Sequence, residues 1–124
     1  MGINGNAWFQ IGTNDRAASE RFYAGVFGWS FSDDDSTSPD GQPYRLVTTG
    51  AGEPPSGGVD GLAGEPGYAV FMLVVPDTSA ACRRVEEAGG KTVVPLARTP
   101  SGLTWAHVVD PDGNRFGVFT PPAG

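Results

Sequence analysis

The chain has 124 residues, 39% of them hydrophobic, with a formal net charge of −6 at neutral pH. That suffices for one compact domain over residues 1–124, and no apolar run approaches the ~20 residues of a membrane-spanning helix. The acidic balance excludes nucleic acid, whose phosphates need a basic surface, and an anionic membrane surface.

Met1 to Gly5 lacks the basic start and apolar stretch of an export signal, so the chain is read as cytoplasmic. Met1-Gly2 hints at acylation, but Asn6 stands where that signal wants Ser or Thr. The first predicted strand covers residues 8–12, and Asn14 or Asp15 caps the helix that follows. Ala18, Phe22 and Val26 recur at helical spacing and form its expected apolar face, and Gly28 ends it. A strand begins over residues 29–32, and Asp33-Asp34-Asp35 reads as a solvated loop without the spaced ligands of a calcium loop. Further strands are expected at residues 44–49 and 57–62, with a turn over 50–55 between them. After a link at 63–67 come a strand at 68–75 and a helix at 78–88 with Gly89 at its exit. Strands at 91–95, 104–109 and 115–120 complete the chain. The last two flank Asp110-Pro111-Asp112-Gly113-Asn114, turn chemistry that makes them a hairpin. Cys82, the single cysteine, forms no intrachain disulfide and reads as a small apolar helix residue.

The stretch "WFQIGTNDRAASERFYAGVFGWSF" from Trp8 aligns with "VFMLVVPDTSAACRRVEEAGGKTV" from Val70 at an offset of 62 residues. Asp15 falls on Asp77, Ala18 on Ala80, Arg21 on Arg83 and Gly28 on Gly90. A repeat of this length means two equivalent supersecondary units. Each reads βαβββ: module 1 at residues 6–62, the linker at 63–67, and module 2 at 68–121.

"ASERFYAGVFGW", "VEEAGGKTV" and "DPDGNRFGVF", in this order and at this spacing, resemble the glyoxalase/bleomycin-resistance/dioxygenase superfamily, also called the vicinal oxygen chelate fold. The resemblance implies an α+β fold whose two βαβββ modules curve their strands into one cup, and a homodimer. In metal-dependent members His, Gln or Glu side chains in that cup bind one divalent ion. Those positions fall here on Trp8, Val70 and Gly117, with Gly58 (or Asp60, if the strand shifts by two) as the fourth. Indole, isopropyl and hydrogen offer no ligand atom. No metal and no other cofactor is therefore expected.

Strand alternation from these positions, with the cup-facing positions that the resemblance implies on the strand before the Asp-Pro-Asp-Gly turn, Trp105 and His107, gives the implied lining. It comprises Trp8, Gln10, Asp60, Val70, Met72, Trp105, His107 and Phe119, with Arg115 beside them and Arg98 a solvated loop charge. Gly58 and Gly117 are expected to leave room. Aromatic walls with few polar groups suit an aromatic or extended organic molecule, oriented by Gln10 and His107. The plainer alternative is a collapsed, vestigial cup filled by Trp8 and Trp105.

The leading reading is a metal-independent binding protein that sequesters an antibiotic or other natural product. The alternative is a metal-independent isomerase, cyclase or lyase. His107, the only histidine, would then be its general acid/base, since an unperturbed imidazole titrates near pH 6.5. Asp60, Gln10 and Tyr44 are the candidates to orient it. No nucleophile constellation or phosphate-binding loop is present in the sequence.

Overall fold

The computed structural model describes residues 4–123. The export and acylation readings at Met1 and Gly2 lie outside the described residues. Element order is β1 (Asn6–Thr13), α1 (Arg16–Phe27), β2 (Ser30–Thr37), β3 (Pro43–Thr48), β4 (Gly57–Gly61), β5 (Tyr68–Val74), α2 (Thr78–Glu87), β6 (Lys91–Arg98), β7 (Thr104–Val109) and β8 (Arg115–Thr120). This is α+β, with βαβββ occurring twice. No helix among the described residues is long and apolar enough to cross a membrane.

The chain divides into two compact units, Trp8–Ala69 and the remainder. The division falls two residues into β1 and two residues into β5. Residues 4–7 join the second unit, where the Asn4 N–H donates to Val74 O (2.7 Å) and the Val74 N–H donates to Gly5 O (3.1 Å).

In the first unit the strand order is β2-β3-β4-β1. The β2–β3 and β3–β4 pairs are antiparallel, and β1 lies parallel to β4 with Gln10 opposite Gly58 and Gly12 opposite Asp60. The second unit repeats this plan as β6-β7-β8-β5. There β5 lies parallel to β8, with Met72 opposite Gly117. Gln10 and Met72 are equivalent at the 62-residue offset, and each faces a glycine on its unit's last strand.

Both helices begin at an aspartate that satisfies an otherwise unpaired backbone donor. Asp15 accepts from the Ala18 N–H (3.0 Å) and Asp77 from the Ala80 N–H (3.1 Å). Gly28 closes α1 in the left-handed region at φ 74°. In the second unit Ala81 and Cys82 of α2 pack on Val75, Ala106 and Val118. Cys82 is thus a partly buried packing residue.

Helix α1 behaves differently. The expected apolar face is not its inner face: Phe22 is 56% and Val26 59% exposed, and no α1 residue is buried. The stripe that meets the sheet is Arg16, Glu20 and Tyr23, also one helical face. Arg16 pairs with Asp40 (2.9 Å), Glu20 with Arg45 (3.1 Å), and the Tyr23 ring stacks on Trp29 at 4.8 Å. Ion pairs and one aromatic stack, rather than a wide apolar stripe, set this helix's rotation.

Two loop expectations also change. Asp33, Asp34 and Asp35 lie inside β2. Asp33 pairs with Arg45, and Asp34 accepts from the Ser36 hydroxyl at 2.6 Å. An outer strand tolerates this acidity because its carboxylates reach solvent or a cation. Strand β6 continues past Pro95 to Arg98, which is exposed on the strand rather than in a loop. Its pairing with β7 shifts register between Val94 and Ala97, the irregularity an outer strand uses to hold a proline. The 104–109 and 115–120 strands have the expected bounds, joined through Asp110, whose carboxylate accepts from the Asn114 N–H (2.9 Å).

Candidate functional site

In the first unit Phe9 faces the helix side, with its ring 5.3 Å from that of Trp29. Alternation along β1 puts Trp8, Gln10 and Gly12 on the opposite, helix-averted face. Side chains there form one hydrogen-bonded series. The Trp8 indole N–H donates to the Tyr44 hydroxyl (3.1 Å), and Tyr44 donates to Gln10 Oε1 (2.8 Å). Gln10 Nε2 donates to the Tyr68 hydroxyl (2.8 Å), and Tyr68 donates to Asp60 Oδ2 (3.4 Å).

Strand glycines seat these rings. A Cβ at Gly58 would overlap the Tyr44 hydroxyl, and a Cβ at Gly12 would overlap the Tyr68 ring. The room expected at Gly58 is thus taken by Tyr44. Gln10 and Asp60 are both buried. Burial pushes the Asp60 carboxyl pKa up and raises that of the Tyr44 hydroxyl, whose charged form would be poorly solvated.

In the second unit Met72, Trp105, His107 and Phe119 occupy the face averted from α2, because Ala106, Phe116 and Val118 turn toward it. Trp105 pairs with Phe119 across β7 and β8, and its ring meets His107 edge-on at 5.4 Å. The space expected at Gly117 is also occupied. A Cβ there would overlap the Met72 thioether and come within 3.3 Å of His107 Cδ2. Val70 is buried at the start of this unit.

His107 is 1% exposed, and its Nδ1 receives Arg115 Nε at 3.1 Å and Nη2 at 2.8 Å. Guanidinium only donates, so Nδ1 accepts and the neutral ring carries its proton on Nε2. Burial, then the Arg115 charge, lowers its pKa to about 4. At neutral pH His107 is therefore uncharged, with its basic nitrogen already engaged. That fits the expected general acid/base role poorly. The group bonded to it is Arg115, whereas Asp60, Gln10 and Tyr44 belong to the first unit's series.

The residues at the family's ligand positions do not fit a metal ion. Trp8, Val70, Gly58 and Gly117 offer no suitable donor, and two of these positions are backed by Tyr44 and Met72. Among the described residues no group of three or more His, Cys, Asp or Glu could hold a metal. An open cleft beside α1, lined by Arg16, Glu20, Asp33, Gln42 and Arg45, contains none of the expected site residues. Its charges are paired with one another or with Asp40.

Sequence reasoning missed Tyr68 and gave Tyr44 and Arg115 lesser roles. Gly12 and Gly58 carried the available signal, since a glycine inside a strand marks a close approach by another group.

The family described as Glyoxalase/Bleomycin resistance protein/Dioxygenase superfamily matches residues 6–118. The anthracycline biosynthesis protein DnrV of Streptomyces peucetius is 31% identical over 130 residues, covering 95% of this chain and 43% of that protein. The methylmalonyl-CoA epimerase structure from Mycobacterium tuberculosis aligns with a TM-score of 0.62 at 16% identity, covering 98% of this chain and 90% of that one. A Mn(II)-bound glyoxalase from Novosphingobium aromaticivorans aligns with a TM-score of 0.58 at 24% identity, covering 95% and 39%. At these identities the two solved structures show the fold alone. The chain spans less than half the length of the curated relatives it matches.

Proposed function

The chain belongs to the Glyoxalase/Bleomycin resistance protein/Dioxygenase superfamily, and from that premise we propose that it binds a planar, conjugated organic molecule without a metal ion and without altering it. The observation that carries this reading is the replacement at the metal-binding positions. Trp8 stands at one, and the Tyr44 hydroxyl and Met72 thioether fill the space at Gly58 and Gly117. Aromatic and thioether surfaces of this kind favour stacking and dispersion over Lewis-acid chemistry. His107, neutral and bonded to Arg115, adds polarity without ready proton exchange. Similarity to an anthracycline biosynthesis protein supports polycyclic aromatic natural products as the ligand class, and sequestration of such a compound as the role.

Tryptophan fluorescence titrated with hydroxyanthraquinones, followed by mass spectrometry of the recovered compound, tests this. Saturable quenching, unchanged by a chelator, with the compound recovered intact is the expected result. A compound returned altered faster than in buffer, or binding that requires an added divalent ion, overturns it.

One observation favours a second reading, a metal-independent isomerase, cyclase or lyase. Asp60 is a buried carboxyl with raised pKa, hydrogen-bonded to Tyr68, and burial that raises a carboxyl's pKa is one way a site prepares a general acid/base. Turnover abolished by Asp60→Asn and retained in His107→Gln would select it.

A further inference from the structure

We propose that Tyr68 and Asp60 are positioning residues for Trp8, acting through Gln10 and Tyr44 as one directional series of hydrogen bonds. The direction follows from the two ends. An indole N–H only donates, and Asp60 Oδ2 is the acceptor of the Tyr68 hydroxyl. Tyr44 has one proton. It accepts from Trp8 and so donates to Gln10 Oε1. The Gln10 amide is thereby oriented, with Nε2 toward Tyr68, and Tyr68 passes its own proton toward Asp60. A flipped amide would set Nε2 against the Tyr44 proton and take away its Gln10 acceptor.

Packing removes the remaining freedom. Tyr44 is seated on Gly58 and Tyr68 on Gly12, each in space that a side chain at that position would fill. Buried polar groups in such a series support one another, because leaving any one unmatched is unfavourable. Trp8 is thus held by its N–H, and what it presents to a ligand is ring surface. That last step rests on the binding function proposed above. It narrows the ligand to a planar π system and puts Tyr68 and Asp60 among the determinants of affinity, although their own link to the ligand runs through Trp8.

The test uses the full chain labelled with 15N. The Trp8 indole N–H resonance is assigned with Trp8→Phe, and its hydrogen exchange is followed in the unliganded wild type, Tyr68→Phe and Asp60→Asn. The expected result is a displaced Trp8 resonance exchanging at least about fivefold faster in both variants. The Trp29 and Trp105 indole signals should stay in place, which a general loosening of the fold would not allow. A Trp8 signal unchanged in folded Tyr68→Phe overturns the proposal, and Asp60→Asn decides it alone if Tyr68→Phe does not fold. A hydroxyanthraquinone titration separates this from the function it rests on. No binding to wild type, with Trp8 displaced in the variants, overturns the binding function and supports the positioning. Equal affinity in wild type and Tyr68→Phe, despite a displaced Trp8, overturns the link to affinity.

Discussion

His107 would pass for a catalytic histidine on residue type and strand position, and its neighbour changes that reading. Arg115 donates twice to Nδ1, and burial and the guanidinium charge together bring the pKa to about 4. A 15N titration of the ring should therefore show one neutral tautomer, protonated on Nε2, from pH 8 down to pH 5. Arg115→Leu should move the transition upward, toward the ordinary 6.5, because it removes both the charge and the donors. Stability follows from the same shift. Between about pH 6.5 and 4 the unfolded chain protonates this residue and the folded chain does not. Its contribution is complete above 6.5 and declines as pH falls toward 4, by at most ~3 kcal/mol. Asp60, with its raised carboxyl pKa, acts in the opposite sense over acid pH. Urea unfolding at pH 7 and pH 4.5 checks this: wild type should lose more stability on acidification than His107→Gln. Equal losses would mean that His107 titrates normally.

The strand glycines show what strand pairing adds to residue type. Gly58 and Gly117 occupy equivalent places, yet substituting them should have unequal consequences. At Gly117 the displaced group is the end of Met72, a flexible thioether that can move aside. At Gly58 it is the rigid, hydrogen-bonded hydroxyl of Tyr44. Gly58→Ala should therefore destabilise by about 2–3 kcal/mol and Gly117→Ala by about 1 kcal/mol in urea unfolding. Comparable values would argue that Tyr44 is less firmly held than its bonds indicate. Much of the element plan was legible because it is local: the 104–109 and 115–120 strands came from alternation and an Asp-Pro-Asp-Gly turn. The rotation of α1 was not, because two stripes compete on that helix. Which one turns inward depends on Trp29 just beyond the helix and on Asp40 and Arg45, both distant in sequence. The acidic β2 was not legible either, since its charges are tolerated through an outer position and an Arg45 partner that only the assembled sheet supplies. The Trp8-to-Asp60 series failed to appear for the same reason. Its members come from β1, β3, β4 and β5, and only the register brings them together.

The 62-residue repeat was visible over the first strand and helix of each half, and the structure has two units with the same strand order and equivalent glycine pairings. The units differ in how their helices are used. Helix α2 buries its small residues against Val75, Ala106 and Val118, whereas α1 leaves Phe22, Val26 and Phe27 more than half exposed within about one turn. Three large apolar side chains so close together are unfavourable to leave in water, and covering them is worth on the order of 3–5 kcal/mol. We propose that a second copy of this chain covers this face by forming a homodimer through α1. Sedimentation velocity over a rising concentration series should then show a species of twice the monomer mass. Phe22→Ser together with Phe27→Ser should weaken that association by roughly ten- to a hundredfold, while ordinary far-UV circular dichroism is kept. A monomer at every concentration would remove the dimer. A dimer unaffected by the paired substitution would place its interface away from α1 and leave the exposed aromatic face without this explanation.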